Sequence, residues 1–320
     1  TGGPQGSGVA IVNSNSGLIK LSTNTINPGP QNGINISQQL PNTEIWITSN
    51  TIIPTVSSDF DTFGLYLGGL TSGATIYNNA IAYRTSGSMG GQSAFALLAV
   101  GAAGLNIHHN RFNQPGMITG GSYRGVTFSN VANSDFRFND SNSTGTGLAD
   151  AFMLQVLDGS SANVFKNNIF LSSVSVTGSY ATINIDAPSA AAGQISDYND
   201  LFIANVDITA WQAASGQDAN SIAANPLWHN VATGVEDFHP RSSTGRYNPA
   251  TASFVQDGAD SATIDSGDPA EDYSLEPAPN GSQANQGSYG NTAQASKTTA
   301  STLCPVVKNV SQSAGPYTTI

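Results

Sequence analysis

The sequence predicts an all-β solenoid, a parallel β-helix of about seven or more coils with roughly 29 residues in each coil. Three observations lead to this prediction. An Asn with an apolar residue three positions before it and another two positions after it returns at a nearly constant interval. Ser, Thr, Asn and Gly predominate between short apolar runs, and 34 of the 320 residues are Gly, which is typical of short strands joined by tight turns. A sustained 3.6-residue apolar period, which would indicate helices, is missing.

Seven copies of the repeat set the length of a coil. IHHNRF is a full copy, with Ile107, Asn110 and Phe112 in the three positions. FRFNDS ends on Ser141 instead of an apolar residue, and SDYNDL begins on Ser196. The Asn residues of the seven copies are Asn24, Asn50, Asn79, Asn110, Asn139, Asn168 and Asn199. Successive copies are 26 to 31 residues apart, so each coil should have this length.

Each repeated Asn is predicted to turn a corner between two short strands. The two apolar positions of a repeat are five residues apart, and side chains of one straight strand alternate between its faces. Both positions can therefore point inward only if the chain bends between them. Asn is the non-Gly residue best suited to the left-handed conformation of such a corner. We expect each Asn to adopt that conformation, and the stacked amides to hydrogen-bond from coil to coil as a ladder.

Charge and hydropathy argue against two classes of function. Ten Lys and Arg against 21 Asp and Glu give a net charge of −11, which leaves no cationic cluster for nucleic acid. The longest apolar run, AFALLAV at 94–100, is too short to span a bilayer. A single cysteine, Cys304, excludes a disulfide within these residues, and we interpret it as an inert buried thiol. Low charge with abundant Ser, Thr and Asn predicts an extracellular or cell-surface location.

The repeats over residues 9–230 resemble the right-handed parallel β-helix superfamily, which includes pectate lyases and many large bacterial surface proteins. GRYNPATASFVQDGADSATIDSGDP (245–269) and EPAPNGSQANQGSYGNTAQAS (276–296) resemble the closing segment of bacterial β-helix-repeat proteins. In those proteins an SPAIDAGDP-like stretch precedes a G-AYG-T ending, and here Ala262-Thr263 replaces the usual Pro-Ala. The resemblance implies right-handed coils, an extracellular location and frequent contact with carbohydrate. It does not fix an activity.

These patterns divide the chain into three parts. Residues 1–235 are assigned to the β-helix, 236–296 to an irregular C-terminal closing segment of loops and short strands, and 297–320 to a tail. The tail resembles the first strand of a following β-helix. Two interpretations are open: the chain is a piece of a longer tandem protein, or the tail of one copy completes the first coil of the next and builds a filament. The expected partners are copies of the chain joined end to end, or neighbouring β-helix modules.

A row of charged residues is the first candidate for chemistry. One position after the first apolar residue of the repeat, successive coils carry His108, Arg137, Lys166 and Asp197. Polysaccharide lyases of the resembled fold bind acidic sugars with Lys and Arg and use one of them as the base. His108, Arg137, Lys166 and, beside them, Arg111 are therefore the catalytic candidates. The alternative is a solvated, charge-balanced face, in which Asp197 balances Lys166. Asp140 would likewise balance Arg111 on the neighbouring row.

Acidic residues supply two further hypotheses. Glycoside hydrolysis needs two carboxylates about 5 to 9.5 Å apart, and the repeat does not force together any pair among Asp150, Asp158 and Asp186. The stretch DGADSATIDSGD carries four acids, Asp257, Asp260, Asp265 and Asp268. Oxygen-rich loops suit Ca²⁺, so Ca²⁺ is a candidate ligand, although the resembled closing segment accounts for the same stretch. No other cofactor is indicated.

The predicted function is an extracellular structural or adhesive β-helix module, with end-to-end assembly through its tail. The main alternative is a polysaccharide lyase or glycoside hydrolase that acts on an acidic polysaccharide. A carbohydrate-binding module without catalysis is the third hypothesis. No lyase motif, nucleophile elbow, Walker loop or dinucleotide fingerprint favours the enzyme.

Overall fold

The structure is a computed structural model. It describes residues 6–299 apart from 13–16, 30–31, 39–41, 85–86, 117 and 174. The predictions for Cys304 and for most of the tail lie outside the described residues.

Three parallel sheets of seven strands each wind into a solenoid. Sheet 1 comprises β1 (Ser7–Val12), β4 (Asn32–Ser37), β7 (Thr62–Gly68), β11 (Ser93–Val100), β15 (Ser122–Ser129), β19 (Asp150–Leu157) and β23 (Tyr180–Ile185). Sheet 2 comprises β2 (Gly17–Ser22), β5 (Thr43–Thr48), β8 (Ala74–Tyr77), β12 (Leu105–His108), β16 (Asp135–Arg137), β20 (Val164–Lys166) and β24 (Ile195–Asp197). Sheet 3 comprises β3 (Thr25–Gly29), β6 (Thr51–Pro54), β9 (Ala80–Ala82), β13 (Arg111–Gln114), β17 (Asp140–Ser143), β21 (Ile169–Ser172) and β25 (Asp200–Ile203). Each strand pairs with the strand of the same sheet one coil away, so the predicted all-β parallel solenoid is confirmed.

The remaining elements are short. Two parallel pairs lie in the loops between sheets 3 and 1, β10 (Gly87–Ser88) with β14 (Ile118–Thr119) and β18 (Thr146–Leu148) with β22 (Ser175–Val176). Two antiparallel pairs follow the coils, β26 (Trp228–Asn230) with β27 (Asp237–Pro240) and β28 (Arg246–Asn248) with β29 (Ser253–Val255). The helices are α1 (Ala187–Ala190) and α2 (Thr209–Ser215). Neither helix of the described chain is long and apolar enough to cross a membrane.

The solenoid core consists of rows of identical or similar side chains. In sheet 2, Ile76, Ile107, Phe136 and Phe165 stand in register on successive coils and are fully buried. Phe136 stacks on Phe112 and Phe170, with ring centroids 6.1 and 6.2 Å apart. Burying one such side chain stabilises the fold by about 1.5–3 kcal/mol, and the repeat places several in every coil.

The repeated Asn side chains form a hydrogen-bonded ladder at the corner between sheets 2 and 3. Asn110 Oδ1 accepts hydrogen bonds from the backbone N–H and from Nδ2 of Asn79, both at 2.9 Å. Asn79 Nδ2 also donates to the carbonyl oxygen of Ile47 at 2.8 Å. The same pattern runs from Asn24 to Asn199, whose backbone N–H donates to Ser221 Oγ at 2.8 Å. The amide groups therefore satisfy the backbone of the corner in every coil.

The left-handed residue of each corner is not the ladder Asn, so that part of the prediction is wrong. The residues with positive φ directly precede the ladder: Thr23, Ser49, Asn78, His109, Phe138, Asn167 and Tyr198. A left-handed residue bends the chain sharply between sheets 2 and 3, and the next residue can then point its side chain inward. Asn occupies that inward position because its amide can both accept and donate, whereas the backbone strain falls on its neighbour.

A second, shorter ladder lies at the corner between sheets 1 and 2. Ser134 Oγ accepts from the backbone N–H of Leu105 at 3.0 Å, Asn163 Oδ1 accepts from Ser134, and Gln194 Oε1 accepts from Asn163. Ser, Asn and Gln each accept a hydrogen bond from the backbone of the preceding coil. Because the residue type changes from coil to coil, this ladder gives no repeat in the sequence.

The closing segment, residues 236–296, lies against the outside of sheet 3 and the Asn corner. Phe238 packs with Ile169 and Leu171 of β21 in a small apolar cluster separate from the solenoid core. The backbone N–H of Gly287 donates to the carbonyl oxygen of Asn167 at 2.8 Å. The irregular turns of the closing segment are therefore held in place by packing and hydrogen bonds to the solenoid.

Candidate functional site

The predicted charged row stands in register on the outside of sheet 2. His108, Arg137, Lys166 and Asp197 are aligned on successive strands, and Tyr77 precedes them on β8. The closing segment passes beside this row, and its acidic residues contact the two cations.

Lys166 and Arg137 are paired with carboxylates of the closing segment. Lys166 Nζ lies 2.7 Å from Asp268 Oδ2, and the two side chains are 22% and 9% exposed. Arg137 Nη1 is paired with Glu271, and its Nε lies 2.5 Å from Asp135 Oδ1. Burial raises the pKa of Asp268, but the hydrogen bond and charge of Lys166 outweigh burial and hold this pKa below its ordinary value. These cations therefore fasten the closing segment to sheet 2.

The predicted balancing residue, Asp197, has a different role. Its carboxylate accepts hydrogen bonds from the backbone N–H and the side-chain amide of Asn220, both at 2.8 Å. The expected charge balance exists, but for Lys166 it comes from Asp268, which lies 102 residues further along the chain.

His108 and His109 form a neutral pair. Their Nδ1 atoms are 2.9 Å apart, and His109 Nε2 lies 2.9 Å from the carbonyl oxygen of Gly290. A carbonyl only accepts, so Nε2 of His109 carries the proton, and His108 Nδ1 donates to His109 Nδ1. Burial lowers the pKa of His109 to about 4, and burial also lowers the pKa of His108. Neither imidazole is charged near neutral pH.

Arg111 lies apart from the row, in a cleft of about 310 Å³ between sheet 3 and the closing segment. Its Nη2 donates to Asn78 Oδ1 at 2.9 Å, and its guanidinium carbon lies 5.4 Å from the ring centre of Tyr289. Across the cleft, Arg84 holds Glu236 with two hydrogen bonds of 2.8 and 2.7 Å. Glu236 is the single carboxylate among the described residues of the lining, so the cleft does not offer the two carboxylates that glycoside hydrolysis requires.

Asp140, the predicted partner of Arg111, lies beside it on the next strand, where the charge of Arg111 acts to lower the pKa of Asp140, and it also contacts the closing segment. The two residues are neighbours in register on β13 and β17, but Asp140 Oδ2 accepts from the backbone N–H of Ser288 at 3.1 Å. The side chain is fully buried, and Oδ1 has no hydrogen-bond partner within the described part of the chain. Burial raises the pKa of Asp140 to about 7.

The four aspartates proposed for Ca²⁺ have separate partners. Asp257 pairs with Arg246 at 3.0 Å, Asp260 accepts from Ser243, and Asp268 pairs with Lys166. Asp265 is half-buried, and burial raises its pKa to about 6. Across residues 6–299, with the gaps given above, no three His, Cys, Asp or Glu side chains are grouped to hold a metal ion.

The aspartates considered for glycoside hydrolysis stabilise turns. Asp186 caps α1, with Oδ1 accepting from Ser189 N at 2.8 Å, and its Oδ2 accepts from the backbone N–H of Asp158 at 2.7 Å. Asp150 accepts from the backbone N–H of Ser179 at 2.8 Å. Their hydrogen bonds stabilise the loop backbone between coils.

Sequence reasoning missed an aromatic column on the outside of sheet 1. Phe63, Phe95, Arg124 and Phe152 are aligned on successive strands. Phe63 and Phe95 are stacked with centroids 5.2 Å apart, and the guanidinium carbon of Arg124 lies 5.1 Å from the ring centre of Phe152. The signal for this column in the sequence is the aromatic residue or Arg that recurs at the equivalent position of successive sheet 1 strands.

Comparisons with protein-family models, with curated proteins and with solved structures gave no match. Function is therefore inferred from the residues of this chain and their contacts.

Proposed function

We propose that the chain is a structural or adhesive module of an extracellular protein, without polysaccharide lyase or glycoside hydrolase activity. The observation that supports this most strongly is the pairing of the two candidate cations in the row on sheet 2, Arg137 and Lys166, with carboxylates. Lys166 and Arg137 are bonded to Asp268 and Glu271 of their own chain. A lyase would need such cations free to stabilise the enolate of an acidic sugar.

The regular core also suits a structural role. Every coil repeats the same parallel pairing, and the Asn ladder connects successive coils without interruption from Asn24 to Asn199. Such stacking makes each coil dependent on its neighbours, which favours a stiff, elongated module over a hinged one.

The test is an assay of the purified chain against pectate, alginate and other uronate-containing polysaccharides. We expect neither unsaturated uronic products nor new reducing ends. To test whether freeing Lys166 creates lyase activity, the same assay includes Asp268→Asn, and we expect this variant to be inactive too. Unsaturated products from the wild type that disappear in Lys166→Ala would refute the proposed function.

A carbohydrate-binding module without catalysis is the second candidate, and the column on sheet 1 favours it. Nη1 of Arg124 is buried and has no hydrogen-bond partner among the described residues, while aromatic rings lie on either side of it. Affinity electrophoresis in gels containing acidic polysaccharide tests this candidate. Retardation that is lost in Arg124→Ala would support it, and equal mobility with and without polysaccharide would exclude binding of acidic polysaccharide by this column.

We further propose that the chain is a bacterial member of the right-handed parallel β-helix superfamily and that copies assemble end to end. The support is the repeat pattern and the two ends of sheet 1, since β1 and β23 each pair with one strand among the described residues. Cryo-electron microscopy at high protein concentration tests assembly. Continuous fibres are the expected result, and discrete monomers at every concentration would contradict it.

A further inference from the structure

We propose that the uncovered half of sheet 2 binds a neutral, extended glycan chain such as a β-1,4-linked glucan. This bare face is defined by the outward side chains of Trp46, Thr75, Tyr77 and Asn106. The inference rests on the proposed adhesive function and names the ligand class for it.

The bare face presents an aromatic ring and two polar groups in one line. Trp46, Thr75 and Asn106 are paired in register on β5, β8 and β12. Neighbouring strands of a sheet are about 4.8 Å apart, so the line runs along the solenoid axis for about 10 Å. Tyr77 stands in the adjacent line on β8. The rings of Trp46 and Tyr77 are 39% and 37% exposed, although large aromatic side chains are usually covered.

The Trp46 ring is held in place before any ligand arrives. Its Nε1 donates to Glu44 Oε1 at 2.6 Å, and Glu44 lies on the same side of β5 because it is two residues away. The flat face of the indole can then pack against the C–H face of a sugar ring. A pre-oriented ring loses little conformational entropy on binding, which favours affinity.

The polar groups next to the ring are free to bind. Thr75 Oγ1 and the Asn106 amide take part in no side-chain hydrogen bond with the described residues. Both border a shallow groove of about 190 Å³ together with Trp46 and Glu44. A hydroxyl and an amide match sugar hydroxyls, which both donate and accept.

Charge selects a neutral ligand. Glu44 lies beside the ring, Asp135 follows Asn106 in the same line, and Lys20 precedes Trp46 at the other end. Asp135 is also paired with Arg137, whose other partner is Glu271, so three acids and two bases leave a local charge of −1 within a chain of net charge −11. His108, which lies 4.8 Å from Tyr77 between ring centroids, is a neutral imidazole and adds no positive charge. A uronate-bearing chain would be repelled from this face.

The experiment is isothermal titration of the purified chain with a cello-oligosaccharide, with an oligogalacturonide of equal length as the acidic probe. We expect binding of the neutral probe and at least tenfold weaker binding of the acidic one, on the order of 1.4 kcal/mol or more. Trp46→Ala should weaken neutral binding by about tenfold or more, as truncation of a central aromatic contact does. Asn106→Ala should weaken it by a smaller factor.

Leu275→Ala is the matched control, because Leu275 is an exposed apolar side chain of the closing segment, 62% exposed. It should bind like the wild type. No binding of the neutral probe, tighter binding of the acidic probe, or an unchanged affinity in folded Trp46→Ala would each overturn the inference. If the neutral glycan does not bind and no polysaccharide is cleaved, this inference fails and the proposed structural function stands. Cleavage of a polysaccharide would refute the proposed function itself.

Discussion

The outward face of sheet 2 has two halves that share one interior and differ in what lies on them. On the later coils, Arg137 and Lys166 are paired with acids of the closing segment. On the earlier coils, Trp46 and Tyr77 are open and carry no such cover. Fully buried Ile and Phe rows and one Asn ladder continue beneath both halves. The repeat therefore builds a uniform rod, and the closing segment decides which part of its surface is available to a ligand.

The largest expected effect comes from the interior that the two halves share. Asn50→Ala and Asn168→Ala should each lower the free energy of unfolding by about 3 kcal/mol or more, because each removes several hydrogen bonds and leaves buried partners unsatisfied. Both amides accept two bonds from the preceding Asn and donate to the next, and both are buried. Urea unfolding measures the change. Asn24→Ala, at the exposed end of the ladder, is the control with a smaller loss. Strongly unequal losses for Asn50 and Asn168 would show that the halves differ inside as well.

A carboxylate buried between sheet 3 and the closing segment gives the next effect. The pKa of Asp140 is about 7 in the folded protein, above the ordinary aspartate value of 3.8. Between these values the folded state holds more protons than the unfolded state, so ionisation of Asp140 lowers stability as pH rises from about 4 to 7. Asp140→Asn should abolish this contribution of up to about 4 kcal/mol. Because the buried amide N–H would find no acceptor where Oδ1 has no partner, we expect a net gain of about 2 kcal/mol at pH above 7 and no gain near pH 4. Melting temperatures across that range test it, and a gain that is independent of pH would contradict it.

The ion pair at the edge of the cleft should contribute less. Glu236→Gln breaks the two charge-assisted hydrogen bonds to Arg84, whose side chain is 27% exposed. We expect a loss of about 1–2 kcal/mol in thermal or urea unfolding. Glu44→Gln on the bare face is the matched control and should change stability by less than about 0.5 kcal/mol. Equal losses in the two variants would show that the ion pair with Arg84 stabilises the closing segment no more than Glu44 stabilises the bare face.

The smallest effect on stability is expected on the bare face. Trp46→Ala should lower the free energy of unfolding by less than about 1 kcal/mol, because the residue is 39% exposed on the outer face of the sheet. Circular dichroism with thermal melting checks this. A cooperative transition close to that of the wild type is the expected result. A loss as large as that of Asn50→Ala would mean that Trp46 is a structural residue.

The solenoid could be predicted because its information is local and repeated. Ile107, Asn110 and Phe112 recur with the same spacing, and the alternation of a strand converts that spacing into inward and outward positions. The predicted left-handed residue is one position too late, because Phe138 and Tyr198 in the corner position carry no intrinsic signal for positive φ. The hydrogen bonds of the neighbouring ladder Asn, rather than their own side chains, determine their backbone conformation.

The covered half could not be predicted because its contacts are distant in sequence and follow no period. Glu271 reaches Arg137 across 134 residues, and Asp268 reaches Lys166 across 102. The repeat places the cations in a row, but it contains no information on where an irregular segment returns. The acids of DGADSATIDSGD are close together in sequence, but in the structure Asp268 pairs with Lys166 and Asp257 pairs with Arg246.

A double-mutant cycle on Lys166 and Asp268 tests most directly whether the cations of sheet 2 serve the fold. Lys166→Met, Asp268→Asn and the combined variant are compared with the wild type by urea unfolding. A structural ion pair with 22% and 9% exposed side chains should give a coupling free energy of about 1 kcal/mol or more. A coupling near zero would show that the closing segment does not depend on Lys166, and the cation would again be a candidate for chemistry.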